Sequence, residues 1–210
     1  MQLCRSTWAT TLSLRQPEAH RNLAASGCTE VPGIDDTQEF GEVVESLAAV
    51  AFEQADMQWA FFLVAACLHL GDVTFDAAEG GEGSAVSAAA QQHLQLAAHY
   101  LQVTPDDLAS ALTQRTMSVR GEVQRLRNKK DDARAAADAL AKALYAALFD
   151  DIVIRINRAV GGQSSGCMSI GVLDIFGFEI FEHNSFEQLC INFCNEKLQA
   201  RDRRDADLDR

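Results

Sequence analysis

A mostly α-helical chain with one inner strand is the fold class this sequence predicts, and three observations predict it. Apolar residues recur at three- and four-residue spacings through most of the chain between Thr37 and Gln199. The run from Cys167 to Phe176 is almost continuously apolar and rich in β-branched residues, the pattern of a strand buried on both faces. Capping residues, glycine and proline punctuate the intervals between these stretches.

Residues 1–19 show weak periodicity and read as an irregular leader, and His20 to Asp36 reads as a connection broken by Gly27, Pro32 and Gly33. Thr37 is positioned to cap a helix whose apolar face is Phe40, Val43, Val44, Leu47 and Val50. Met57, Phe61, Val64 and Leu68 predict a second helix stopped by Gly71, and the small, acidic, glycine-rich stretch 76–88 predicts an exposed loop. Leu94, Ala97 and Leu101 mark a third helix. Thr104-Pro105-Asp106-Asp107 opens a fourth, with a capping hydroxyl, proline at the first turn and acids at the positive end of the dipole. Segment 115–130 contains Gly121 and β-branched residues, which leaves an exposed loop or a short hairpin open. From Ala133 to Arg158, Leu140, Leu144, Leu148, Ile152 and Ile156 predict a long helix, apolar nearly all round and therefore buried among others. Ser185 and Gln188 form a capping box for a last helix starting at Phe186.

Composition narrows the function. The 210 residues are 48% hydrophobic and 23% charged, as in ordinary globular domains. No apolar run reaches the roughly 20 residues that span a bilayer, and no secretory signal is visible. The six cysteines form no CxxC pair, which fits a reduced, cytoplasmic protein. Cys190 and Cys194 lie one helical turn apart but lack further ligands for a metal, His69 reads as structural, and Ser164-Ser165 lacks the strand of a nucleophile elbow. The net charge of −12 argues against nucleic acid and anionic membranes as partners. Against that background, Arg115, Arg120, Arg125, Arg127, Lys129 and Lys130 crowd one segment with a single acid, Glu122. Such a run is either a solvated face or a docking surface for an acidic partner.

The junction after the strand concentrates the candidate chemistry. Asp174 sits near the strand's carboxyl end, where ligands bind in open sheets, and an aspartate there can hold magnesium through water. Gly177 allows its amide close approach to a phosphate oxygen, and Glu179 can pair with an arginine or orient water. Solvated loop acids after a core strand fit the same four positions.

The longer string Leu173-Asp174-Ile175-Phe176-Gly177-Phe178-Glu179-Ile180-Phe181-Glu182, continued by Asn184 to Phe193 and Asn195-Glu196-Lys197-Leu198-Gln199, closely resembles the switch II loop and relay helix of myosins. Upstream stretches agree in order, among them Gly33-Ile34-Asp35-Asp36, Leu68-His69-Leu70-Gly71, Arg115-Thr116 with Arg120-Gly121-Glu122, and Asp138 to Tyr145. The resemblance runs over about 20–199, leaving 1–19 as an unmatched leader and 200–210 as a divergent charged tail. It implies the α/β, P-loop-type motor fold, of which this chain would be the upper half of the actin-binding cleft.

By that resemblance Asp174 joins a magnesium shell through water, the Gly177 amide contacts a γ-phosphate, Glu179 pairs with a switch I arginine, and helix 186–199 begins the relay. The basic segment Arg115 to Lys130 then faces F-actin, with Glu122 as a fixed acid in its loop. ATP and Mg2+ are the implied cofactors of the intact parent. The rest of the head and light chains or calmodulin are its implied partners, and the cytoskeleton is its implied location. Departures are equally specific. The chain contains no Gly-Lys dipeptide of a phosphate loop and no asparagine- and serine-rich switch I, so these residues alone predict negligible ATPase activity. The tail ARDRRDADLDR breaks the apolar relay pattern, Ala137 stands where the family usually has arginine, and Asp151 puts a charge where an aromatic is usual. A motor fragment, a non-catalytic actin- or partner-binding module and a truncated gene product all remain readings of such a chain.

Overall fold

The structure is a computed structural model describing residues 1–78, 80, 82–119, 122–161, 175 and 177–208, with backbone alone for 119, 122 and 201–208. It divides into two compact units, Met1–Gly162 and Gln163–Arg210. The strand expected over 167–176 and the acid Asp174 lie outside the described residues, Ile175 excepted.

In the first unit two one-turn helices, α1 (Gln2–Arg5) and α2 (Trp8–Thr11), and a 3-10 turn at Pro17–Ala19 precede α3 (Arg21–Ala24). These are followed by α4 (Asp36–Ala49) and α5 (Gln54–Asp72), then by a hairpin of β1 (Phe75–Ala77) and β2 (Ser84–Val86). After it come α6 (Gln91–Leu101), α7 (Pro105–Thr113), a second hairpin of β3 (Gln114–Val119) and β4 (Glu122–Arg127), and the long α8 (Lys130–Val160). The second unit contains α9 (Phe186–Leu208). Both hairpins are antiparallel, and the helical character expected from the sequence is observed.

Helix α5 is the spine. Leu70, with Val73 and Phe75 just beyond the helix, packs with Leu94, Ala97 and Ala98 of α6, Leu108 and Leu112 of α7, and Ala133, Ala137 and Ala141 of α8. Alanine at these three α8 positions, each four residues from the next, brings two helix backbones close without a cavity. The other face of α5, through Phe61, Ala65 and Ala66, packs with Leu3, Leu12 and Tyr100. The backbone carbonyls at the end of α5 are met by arginine. Arg134 Nη2 donates to Leu70 O at 3.0 Å, its Nη1 to Gly71 O at 3.2 Å and also to Val73 O, and Arg21 Nε donates to Gly71 O at 2.8 Å. Cations at the negative end of the dipole satisfy carbonyls that a helix leaves unpaired.

Several expectations are corrected. Residues 1–19 form helical turns rather than an irregular leader, with Leu3, Cys4 and Leu12 buried. Arg5 anchors them by pairing with the buried Asp36 at 3.2 Å. Weak periodicity hid this because one-turn helices are too short to display a repeat. Asp35 rather than Thr37 caps α4, accepting from Thr37 N at 2.9 Å and Gln38 N at 3.3 Å. Gly71 lies inside the last turn of α5, where a Cβ would come within 2.5 Å of the Asn22 side chain. The stretch 76–88 holds most of a hairpin rather than a plain loop.

Helix α8 is buried only along part of its length. Ala133, Ala137, Ala141 and Leu148 are covered, whereas Tyr145, Phe149, Val153 and Ile154 are exposed. Asp151 finds a partner in Arg155 (2.7 Å), which also reaches Asp56 on α5 (2.5 Å). No helix among the described residues is long and apolar enough to cross a membrane.

If the first turns belong to the core, Leu12→Ala lowers stability by about 2–5 kcal/mol in urea unfolding. Val123→Ala, at a side chain that is 71% exposed, changes stability by less than about 0.5 kcal/mol.

Candidate functional site

The six-basic segment becomes a rigid-based hairpin followed by a helix start. In its register Gln114 opposes Arg127, Arg115 opposes Leu126, Thr116 opposes Arg125, Met117 opposes Gln124, Ser118 opposes Val123 and Val119 opposes Glu122. Because alternate residues point to opposite faces, Arg125 and Arg127 share one face with Thr116, Ser118 and Val123, and Arg115 lies on the other with Met117 and Leu126. The side chains of Arg115, Arg125 and Arg127 are exposed. Glu122 opens β4, and Arg120 lies outside the described residues. Lys129 is the N-cap of α8 and Lys130 its first residue, both exposed. Two lysines at the positive end of a helix dipole oppose it, and Asp131 and Asp132 in the first turn offset them. Helix stability therefore supplies no reason for lysine at 129 and 130.

The base of the hairpin is held by Asn128, which the sequence reading did not single out. Its side chain is buried and its Nδ2 donates to Leu112 O at 2.9 Å. Its amide N donates to Thr113 O at 2.8 Å, and its carbonyl accepts from Ser84 Oγ at 2.8 Å. One residue thereby ties the end of β4 to α7 and to β2. At Gly83, with φ +93, a Cβ would come within 2.8 Å of Arg127 Cβ, so the first hairpin approaches the second through a position only glycine suits. An asparagine between two basic residues and a helix start was the available signal, but nothing in the sequence says that it is buried.

In the second unit the segment bearing Gly177 and Glu179 is held to α9 by side-chain amides. Glu179 N donates to Asn192 Oδ1 at 2.8 Å and Asn192 Nδ2 donates to Glu179 O at 2.8 Å. Asn184 makes the same two-way contact with Phe181, at 3.0 and 2.8 Å. The capping box forms: Ser185 N donates to Gln188 Oε1 at 2.7 Å and Glu187 N to Ser185 Oγ at 3.2 Å. Glu179 is half-buried and Gly177 exposed.

The nucleotide and magnesium contacts expected of this segment include Asp174, which lies outside the described residues. Among the described residues, a Cβ on Gly177 would meet nothing within 4 Å. The one Lys or Arg among the side chains described in the second unit, Lys197, lies over the Phe193 ring at 5.5 Å. Among the described residues no group of three or more His, Cys, Asp or Glu side chains is placed to hold a metal.

The family described as Myosin head (motor domain) matches residues 2–202, so the first turns fall inside the matched span. Myosin-1 of Malassezia globosa is 44% identical over 192 residues, covering 89% of this chain and 14% of that protein. The high molecular weight form of myosin-1 from Acanthamoeba castellanii is 40% identical over 190 residues, covering 88% and 12%. Myosin-1 of Yarrowia lipolytica is 38% identical over 197 residues, covering 91% and 16%. The chain thus spans less than one fifth of the length of these curated relatives.

Replacing Asn128 with alanine strands the Leu112 carbonyl in the interior and lowers stability by about 1–3 kcal/mol in urea unfolding. Amide exchange of β3 and β4 rises in the same variant.

Proposed function

Because the chain belongs to the myosin head (motor domain) family, we propose that it is the part of an actin-based motor that meets F-actin through the basic hairpin and its adjoining lysines. The observation that carries this reading is the exposed set Arg115, Arg125, Arg127, Lys129 and Lys130 on a base fixed by Asn128, in a chain of net charge −12. Filamentous actin is an acidic partner, and cations held clear of a rigid base steer association without a folding cost. Arg120 and Glu122 complete the proposed contact.

In the intact parent, within an α/β P-loop-type head, ATP and Mg2+ are the proposed cofactors. Asp174 would face the metal through water, the amide of Gly177 the terminal phosphate, and Glu179 an arginine from outside this chain. Those residues would report nucleotide state to α9 and so to a lever carrying light chains or calmodulin, in a cytoplasmic, cytoskeletal setting. A non-catalytic, actin-binding module is the second reading, since the exposed basic set would serve it equally.

The test is co-sedimentation of the chain with F-actin at low ionic strength. Binding is expected, weakening as salt screens the contact, and Arg125→Glu with Arg127→Glu weakens it roughly five- to tenfold. Equal binding by the double variant and the parent sequence overturns the assignment.

A further inference from the structure

A cluster of titratable side chains lies far along the chain from any residue assigned above. It joins the segment before α3 to the end of α5 and the start of α6. His69 of α5 is fully buried, and its Nε2 donates to the carbonyl of Leu12 at 3.1 Å. A carbonyl can only accept, so the Nε2 proton is fixed and Nδ1 carries the lone pair of the neutral ring. That Nδ1 faces His93 Nδ1 of α6 at 3.1 Å. One proton must therefore sit between the two nitrogens, and the neutral arrangement has His93 donating to His69. A second proton between them has no acceptor.

Other charged groups bear on this pair from every side. Asp72, whose side chain is only 5% exposed, lies 4.0 Å from His93 Nδ1 and 2.6 Å from His20 Nδ1, and accepts from Arg15 at 3.2 Å and from Arg21 N at 2.9 Å. Tyr100 of α6 stacks on His69 with ring centres 5.9 Å apart. Cys4 of α1 adjoins His20, and Arg134 of α8, paired with Asp138, acts on Asp72. Every polar contact just described between residues 12–21 and α5 runs through His69, His20, Asp72 or the arginines that serve it.

We propose that the facing imidazoles of His69 and His93 form an acid-sensitive latch, which holds residues 1–21 against α5 and α6 and opens when both rings are charged. The first added proton goes to the free Nε2 of His93, where Asp72 offsets its charge and the bond to His69 survives. The second must enter at His69 Nδ1, against the His93 N–H, on a ring that is fully buried and stacked on Tyr100. Releasing the segment frees Leu12 and lets His69 reach water.

The direction with pH follows from these surroundings. Burial, with the charges of His93 and His20, lowers His69 from 6.5 to about 4. Burial also lowers His93, with Arg15 and His20 adding to the effect against Asp72. A histidine lowered in the folded state stabilises it above its ordinary value and loses that contribution as pH falls toward the folded value. The window for opening is therefore from about 6.5 down to about 4. Burial alone would lower His20, but the hydrogen bond and charge of Asp72 outweigh it and raise the ring to about 9. That charge competes with the Arg15 amide, which at 3.1 Å needs the Nε2 lone pair, and the nearer carboxylate decides the direction. The His20 contribution is in place below 6.5 and is lost as pH rises toward 9, outside the acid window. Asp72 is lowered despite its burial, mainly by its bond to His20, so its contribution fails only in stronger acid.

The experiment is amide hydrogen exchange on the full chain, expressed as protection factors so that intrinsic pH dependence is removed. Between pH 6 and pH 4.5 the protection of residues 2–21 should fall roughly tenfold, while that of α7 holds. His69→Gln, whose amide can still donate to Leu12, should keep the protection of residues 2–21 level across the same range. No fall in the parent chain, a uniform fall that includes α7, or an equal fall in His69→Gln overturns the latch. Ring carbon NMR of the parent chain is the second readout. His93 should titrate before His69, and both below 6.5; two independent steps at the ordinary value overturn the proposal.

Discussion

The first unit depends on how the end of α5 is closed. A nineteen-residue helix with an apolar spine delivers unpaired carbonyls into the protein's interior, where each left unmet would cost about 1–3 kcal/mol. Arg134 on α8 and Arg21 from the segment before it reach those carbonyls, and Asp138 on the next turn of α8 pairs with both guanidiniums. Three stretches distant in sequence are thus tied at one point by charge-assisted bonds. The alanines at 133, 137 and 141 make the arrangement possible, because larger side chains would hold α8 too far away for Arg134 to reach. Ala137 is fully buried at this contact.

The closure at α5 also explains what is rigid and what is not covered. The first hairpin leaves α5 through Val73 and Phe75, both in the core, and meets the base of the second at Asn128 and Gly83. The base of β3 and β4 inherits that order, whereas β3 and β4 themselves turn arginine, methionine and valine to solvent. On another side, α1, α4, α5 and α8 line an apolar groove of about 570 Å³, open to solvent, with Ile34, Phe40, Phe61, Val64, Phe149 and Ile152 among its residues. Exposed Tyr145, Phe149, Val153 and Ile154 extend that apolar surface along α8. Exposed apolar surfaces of this kind mark interfaces.

What could be read from the sequence divides by physical cause. Long elements with local signals were legible: α6, α7 with its Thr104 cap and Pro105, α8, and the capping box of α9 each carry their instructions within a few residues. The basic segment was legible as loop or hairpin, and its strand alternation separated Arg115 from Arg125 and Arg127 in a way that a count of charges could not. Elements fixed by distant partners were not legible. Residues 1–19 owe their order to Phe61, Tyr100, Asp36 and Asp72, none of them near in sequence. The long apolar stripe of α8 suggested burial throughout, but apolarity records what a surface can meet and not what this chain brings to it. Asn128 and Asn192 escaped notice because asparagine has the same local meaning exposed or buried.

Asn192 matters most for how the candidate loop can behave. It makes both of its described bonds to the backbone of one residue, Glu179, thirteen positions away, occupying an amide and a carbonyl as a neighbouring strand would. Asn184 repeats the device at Phe181, beside the capping box that starts α9. Among the described residues, the backbone of Glu179 is tied to α9 through Asn192, whereas the contact of Asn184 with Phe181 lies within the loop itself. Moving Glu179 while α9 stays still breaks two hydrogen bonds, at a net cost of about 1–3 kcal/mol. Moving it together with α9 breaks neither. Among the described residues, a Cβ on Gly177 would meet nothing within 4 Å. Among the bonds described, Glu179 and α9 are therefore coupled, and a displacement of one that leaves the other in place has to break them.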